Sequence, residues 1–548
     1  MTATLATEPA RVAATGQRDG FAGTGALLRL TIRRDRIIAS IWILLFVIMA
    51  ASSSSASQDL YNTLESRVRA ANAVNDTAAT LALYGRVFDP TSLGAVSLIK
   101  LGAMGAALVA LVAIFTVVRH TRAEEEAGRA ELLGATVVGR YAPLTAALLL
   151  SVGISLVLAL LTALSLIGTG LPAAGAIAFG LSWAGAGIAF AAVGALAAQV
   201  TEGARTARGI AASVLAAAYL LRAAGDASGT DDSTWLSWLS PIGWAQQVRP
   251  FAGDRWWVLI YLVFFAALVT VGAYLLVARR DHGAGLLPQR PGRAAAARSL
   301  SSPLGLAVRL QRGGLVGWLI GMVIGGLAFG SIASQVGEFV DSDSARDMIM
   351  KLGGERGLVD AFLSAEMGII AVVASAYGIS AALRLRVEET TFRAEPILAT
   401  RISRVRWAAS HVTIAIGGTT LLLLTVGVFA GFAYGAAADD MAGFGRVLTA
   451  ALVQLPAVWV LTGITVLVFG FAPGLVLAGW GALVVFLMLG QLGPIFELPQ
   501  WAMNISPFTH TPKLLGGEFA AMPLVWLTLV AAALVAAGLV GFRRRDIG

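Results

Sequence analysis

A run of nineteen residues recurs in this chain with its charges in place. Arg122, Glu124, Glu125, Arg129 and Glu131 are matched, 264 positions on, by Arg386, Glu388, Glu389, Arg393 and Glu395. Between 122–140 and 386–404, 9 of 19 positions are identical, and charged residues dominate the matches. Carboxylates and guanidinium groups at this spacing do electrostatic rather than covalent chemistry. On a helix Glu125 and Arg129 lie four apart and can pair, as can Glu389 and Arg393. A solvated surface helix with internal ion pairs would account for one copy. Two copies, in a chain that is 57% hydrophobic, point to two docking sites on one membrane face for a symmetric partner. The second copy has Pro396 where the first has Leu132, and Phe392 in place of Gly128. Its helix is therefore expected to end earlier or bend, leaving the two sites inequivalent.

Other chemistry is sparse. With no cysteine, thiol nucleophiles, thiolate metal sites and disulfides are excluded. His120, His282, His411 and His510 lie far apart, without metal-ligand spacing. Lysine occurs only at Lys100, Lys351 and Lys513, and none sits in a Gly-x-x-x-x-Gly-Lys-Ser/Thr phosphate loop. No hydrolase constellation is recognisable either, so no catalysis and no bound cofactor are expected of this chain. The net charge of +8 is almost all arginine. Those arginines sort by membrane side instead of forming one patch, which argues against nucleic acid.

The elements carrying the two charged segments are membrane spans. A mean hydropathy of +0.78 with 13% charged residues is far from a soluble domain, and apolar runs of about 20 residues recur throughout. Lipid leaves backbone groups no partners outside a helix or closed barrel, and the short alternating segments of a barrel are absent. The expectation is an all-α polytopic membrane protein with 12 transmembrane helices. They fall near 37–52, 95–118, 142–168, 172–200, 209–225 and 256–278, then 315–333, 367–383, 406–436, 444–470, 472–490 and 522–541. If 1–36, 119–141, 201–208, 279–314, 384–406 and 543–548 are cytoplasmic, they hold 28 of the 40 lysines and arginines. Both termini are then cytoplasmic. The opposite face carries acids such as Asp226, Asp231, Asp232, Glu338, Asp439 and Asp440.

The duplication is wider than the charged segment. Arg279-Arg280-Asp281 follows the sixth span and Arg544-Arg545-Asp546 the twelfth, while Ser240-Pro241 and Ser506-Pro507 precede them. Two six-helix units facing the same way follow from this, related by an axis along the membrane normal. Leu27–Arg36 and Leu306–Arg312 read as amphipathic helices lying in the interface. The expected domains are a disordered terminus at 1–22, a first half at 23–283, a linker at 284–302 and a second half at 303–548. The first 20 residues lack the apolar core of a signal peptide, so the first span would be its own insertion signal. Within the spans, Lys100 and Arg222 read as snorkelling cations, with anion binding the alternative. Trp235, Trp238, Trp244, Trp256 and Trp257 read as an aromatic belt, and the abundant glycine and alanine as close helix packing. The Asn75-Asp76-Thr77 sequon reads as chance.

These features together resemble an ABC-2-type exporter permease with two fused six-helix halves, most closely the actinobacterial tetronasin-type antibiotic exporter subunit. The interfacial elbow, the E-E-x-x-x-R-A-E loop, the Ser-Pro turn and the Arg-Arg-Asp-x-Gly end carry the resemblance across nearly the whole chain. It implies an ABC-2 (type V exporter-like) transmembrane fold in a bacterial plasma membrane. The two loops would be coupling helices docked on two copies of a cytoplasmic ATP-binding subunit, which would hold the ATP and Mg2+. Segments 233–251 and 496–515 would be re-entrant helices closing the outer end. The second and fifth spans of each half would meet a hydrophobic small-molecule substrate through Met104, Phe115, Tyr219, Tyr377, Trp480 and Phe486, for each of which packing or lipid contact is the alternative.

Two other readings compete. Parallel six-helix repeats also describe ion-coupled secondary transporters. Those rely on acids or histidines within the spans, which here are nearly bare of them, and their Gly-x-x-x-Asp-Arg-x-Gly loop is missing. A membrane scaffold without transport is the third, and the matched docking loops argue against it.

Overall fold

The computed structural model describes residues 19–546, apart from 77, 130–136, 229–233, 281–283, 287–293, 334–354, 440, 493–498 and 513–520. All regular structure among these residues is helical, and the chain divides into two compact units, Met1–Pro291 and Gly292–Gly548. Eleven helices among the described residues are long and apolar enough to cross a membrane. The expected span 472–490 is the exception. A 3-10 turn at Pro473–Leu475 takes its first residues, leaving a helix of 15 residues at Ala478–Leu492.

In the first unit the helix Ala173–Val200 is the inner member, packed on Leu93–His120, Ala142–Gly168 and Val258–Arg279. Its small residues allow this, since a Cβ on Gly180 would meet the Ala159 carbonyl oxygen at 2.4 Å. One large ring fills the middle. Trp183 is fully buried against Phe46 and Phe179, and its indole donates to the Gly102 carbonyl at 3.2 Å. The second unit repeats the plan around Gly443–Leu452 and Leu455–Phe471, the break between them lying just ahead of Pro456. There a Cβ on Gly470 would sit 2.1 Å from the Gly538 carbonyl oxygen. On outer helices apolar side chains stay uncovered, as with Ile37, Ile41, Leu44 and Ile48, which suits a lipid-facing surface.

The expected elbow is not a separate element. Residues Thr24–Leu60 form one helix of 37 residues, about 55 Å long against a hydrocarbon core of about 30 Å. No proline or glycine interrupts residues 26–60, so nothing breaks the helix where its arginines give way to apolar residues. Likewise Pro303–Ala333 runs unbroken through the second amphipathic stretch.

Arg222 does not snorkel. It is fully buried and donates to the carbonyls of Leu81 and Ala82 at 3.3 and 2.8 Å, with Asp226 at 3.4 Å. Its guanidinium lies 4.4 Å from the centre of the Tyr219 ring. The arginine thus fastens Ala204–Ser228 to the short helix Ala78–Tyr84, and Ser237 Oγ donates to Asp226 at 2.7 Å from the next turn of chain. Lys100 is exposed. Asn75 is a tie as well, its side-chain amide bonding both the amide and the carbonyl of Val87.

Beyond the fifth helix of each unit come short helices, Trp235–Trp238 and Pro241–Gln247 in the first, Gln500–Met503 and Pro507–His510 in the second. Ser240 Oγ accepts from the amides of Ile242 and Gly243, both at 3.2 Å, and donates to the Ala218 carbonyl at 2.6 Å. Trp238 stacks on Trp257, their centroids 5.8 Å apart.

Candidate functional site

In the first unit the helix Leu93–His120 ends at Thr121, whose backbone leaves helical geometry (φ −119°, ψ −89°), and Arg122–Glu126 forms one further turn and a half. Arg122 turns inward and is fully buried, paired with Glu125. Glu125 is also held by Arg280, whose Nη1 donates to Oε2 at 2.9 Å. Arg280 Nε donates to Gln199 Oε1 at 2.7 Å, and Arg140 donates to the Arg280 carbonyl. Four elements are thereby tied together: the loop, the start of the third helix, the end of the fourth and the end of the sixth.

The second unit contains the same constellation. Arg386 donates to Glu389 at 3.1 Å. Arg545 Nη2 donates to Glu389 Oε2 at 2.8 Å, its Nη1 forms an ion pair with Oε1 at 2.7 Å, and Arg404 donates to the Arg545 carbonyl at 2.7 Å. Where Arg280 has an amide oxygen beside it, Arg545 lies 4.9 and 5.1 Å from the ring centres of Phe469 and Phe542. So the duplicated loop and the duplicated Arg-Arg-Asp end, read from the sequence as separate landmarks, are two sides of one clasp. Little water reaches it. The Glu125 and Glu389 side chains are 12% and 3% exposed, and charges so placed require partners.

The expected pairs Glu125–Arg129 and Glu389–Arg393 do not form. Arg129 instead bonds Glu124, through Nε at 2.6 Å and Nη2 at 3.1 Å, because Gly128 turns the chain back with φ of 71°. That hydrogen bond raises the Arg129 guanidinium above its ordinary pKa. Glu124 also accepts from Arg34 at 2.6 Å, joining the loop to the first helix. Its counterpart Glu388 pairs with Arg384 in its own helix. Pro396 does not end the long helix either. Glu355–Thr390 has already stopped, and Pro396 sits in the first turn of a separate helix, Glu395–Leu398, where its missing N–H costs nothing. Arg393 and Glu395 are exposed, as is Arg129. Glu131 lies outside the described residues.

Two further contacts bear on the first loop. Glu126 Oε2 accepts from the Ala204 amide at 2.9 Å, capping the fifth helix. His120 Nε2 lies 2.6 Å from Asp35 Oδ2, and Arg119 lies 3.1 Å from the other oxygen. None of Arg140, Arg280, Arg404 and Arg545 was singled out as a site residue from the sequence. Their signal was present, since Arg140 and Arg404 close the matched segments and the other two lie in the duplicated ends.

The six pathway candidates divide equally between the two units. Trp480 and Phe486 pack together with Ile379, Leu461 and Leu483. Tyr377 is buried on another side of its helix, against Trp318 and Gly418. Tyr219 is half-buried and donates to the Leu83 carbonyl, Met104 is half-buried, and Phe115 is exposed. A cavity of about 60 Å³ at the start of Leu93–His120, between Phe88, Gln246 and Phe251, is lined by none of them.

Long apolar helices, lipid-suited outer surfaces and charged clasps at helix ends define a polytopic helical membrane protein. The family described as "Multidrug efflux system permease Rv1217c, C-terminal domain" matches residues 300–543. The multidrug efflux system permease protein Rv1217c of Mycobacterium tuberculosis is 46% identical over 543 residues, covering 98% of this chain and 98% of its own. This chain belongs to the family of that permease.

Proposed function

We propose that the chain is the membrane-spanning permease of an ATP-driven ABC-2 exporter that moves hydrophobic and amphipathic compounds, antibiotics and other drugs among them, out of the cell. Two copies of a separate cytoplasmic subunit bind and hydrolyse ATP, with its Mg2+, and dock on the loops around Glu124–Arg129 and Glu388–Glu395. The chain itself binds no cofactor. The carrying observation is the clasp present in both units: a load applied at either loop is delivered through Glu125–Arg280 or Glu389–Arg545 to that unit's last helix. The relationship to a multidrug efflux permease supports the cargo class. Substrate contact falls to the second and fifth helices of each unit. Replacing Trp480 and Phe486 by Ala is expected to alter the resistance spectrum of a drug-sensitive host, and an unaltered spectrum removes them from the pathway.

An ion-coupled secondary transporter is the second reading, favoured by one observation, a buried acid–histidine pair, Asp35 and His120, outside the expected spans. Purifying the tagged chain from its own membrane, followed by mass spectrometry and an ATPase assay, separates the two. Close to two ATP-binding subunits per chain, with hydrolysis stimulated by hydrophobic compounds, is expected of the exporter. A chain that purifies alone and exports only under a proton gradient supports the other.

A further inference from the structure

Residues 128 and 392 occupy the same place in the two units, 264 positions apart. Each closes the helix before it in the left-handed region, Gly128 at φ 71° and Phe392 at φ 57°. Each donates its amide to the carbonyl three residues back, Glu125 and Glu389, both at 3.0 Å. Glycine is the residue this position favours, because in the left-handed region a Cβ crowds its own residue's backbone. The first unit has it. The second holds a bulky aromatic in a backbone conformation that such residues rarely adopt, and Phe392 is 68% exposed. Strain borne by a side chain facing outward returns little to the unit's own packing. The base beneath the ring is firm, since Arg393 and Ala394 both donate to the Glu388 carbonyl and Glu389 is clasped by Arg545. Exposed Arg393 and Glu395 flank it.

We propose that Phe392 is an aromatic anchor that enters an apolar pocket of the soluble ATP-binding partner, and that the second loop alone carries it. The two docking sites are then unequal, the first held by charge and the second by a buried ring with a charged rim, the arrangement in which one aromatic dominates an interface. This rests on the partner-driven reading proposed above.

Phe392→Gly installs the first unit's own residue and removes the strain. The full chain carrying it is expected to keep its melting temperature in detergent, or raise it. Retention of the co-purifying ATP-binding subunit should weaken at least about tenfold, while Phe392→Trp retains it. Lowered thermal stability would make the ring a packing residue and overturn the proposal, as would undiminished retention. Because the chain has no cysteine, Thr391→Cys supplies a unique thiol beside an intact Phe392. In reconstituted vesicles a membrane-impermeant maleimide should label it rapidly without the partner and about tenfold more slowly with it. Protection by lipid alone would assign the ring to the membrane interface and overturn the proposal. If the unaltered chain retains no soluble subunit at all, the ATP-driven reading falls first and the anchor with it.

Discussion

Glu125 bonds two arginines that see little water: Arg122 is fully buried and the Arg280 side chain, which also donates to Gln199 and to the Ala284 carbonyl, is 9% exposed. Removing the carboxylate strands both charges, a loss of about 3–5 kcal/mol for a buried pair broken on one side. Glu125→Ala and Arg280→Ala are therefore each expected to lower the melting temperature and abolish export. The exchange Glu125→Arg with Arg280→Glu should recover part of both, and the coupling energy of the cycle reads the pair directly. Strictly additive losses would show that the two side chains do not act together. Reversing Glu125 alone damages the unit before it reports on docking, so exposed Arg129 and Glu395 are the better probes of a partner. At this scale the sequence revealed which residues matter in pairs but not with whom. Helical spacing offers Arg129 to Glu125, and the turn at Gly128 sends Arg129 to Glu124 instead. Arg280, 155 positions away, could be matched to Glu125 only by the fold.

Among the elements, the Ser-Pro turns show how far a duplicated motif can diverge while its letters persist. Ser240 makes three hydrogen bonds with its hydroxyl, two of them to amides at the start of Pro241–Gln247. The Ser506 hydroxyl, equally buried, has no hydrogen-bond partner among the described residues. Ser240→Ala is expected to cost about 1–2 kcal/mol as a lost helix cap, and Ser506→Ala far less. Thermal unfolding of the two variants side by side measures the contrast, and equal losses would contradict it. Hydropathy located the helices well, because a long apolar run has few alternatives in lipid. It failed at their ends. The amphipathic stretch before the first span has the same helical period as the span itself, so pattern alone gave no reason to expect one helix of 37 residues. The missing breakers between 26 and 60 were the usable signal. Arg222 was misplaced for a related reason: its partners are carbonyls at 81–83, and backbone atoms leave no trace in a sequence.

For the whole molecule, the expected topology places both ends and the 284–302 segment in the cytoplasm, with the turn after the first helix outside. A chain without cysteine makes this simple to test. An impermeant maleimide is expected to label Asn62→Cys in intact cells, and Arg298→Cys only after permeabilisation; the reverse pattern would invert the topology. The duplication itself was legible from three landmarks at nearly one offset. That two of them meet was not, since Glu389 and Arg545 lie as far apart in the chain as Glu125 and Arg280.

The clasp also bears on heredity. The charge of an arginine at 280 is answered by the acid at 125, so neither position is expected to drift alone, and the same holds for 389 and 545. Among descendants of one duplicated gene, these positions should change as couples, by reversal or joint loss. A chimaera joining residues 1–150 of this chain to the remainder of a relative carrying the opposite arrangement would place like charges face to face, and should fail where either parent succeeds.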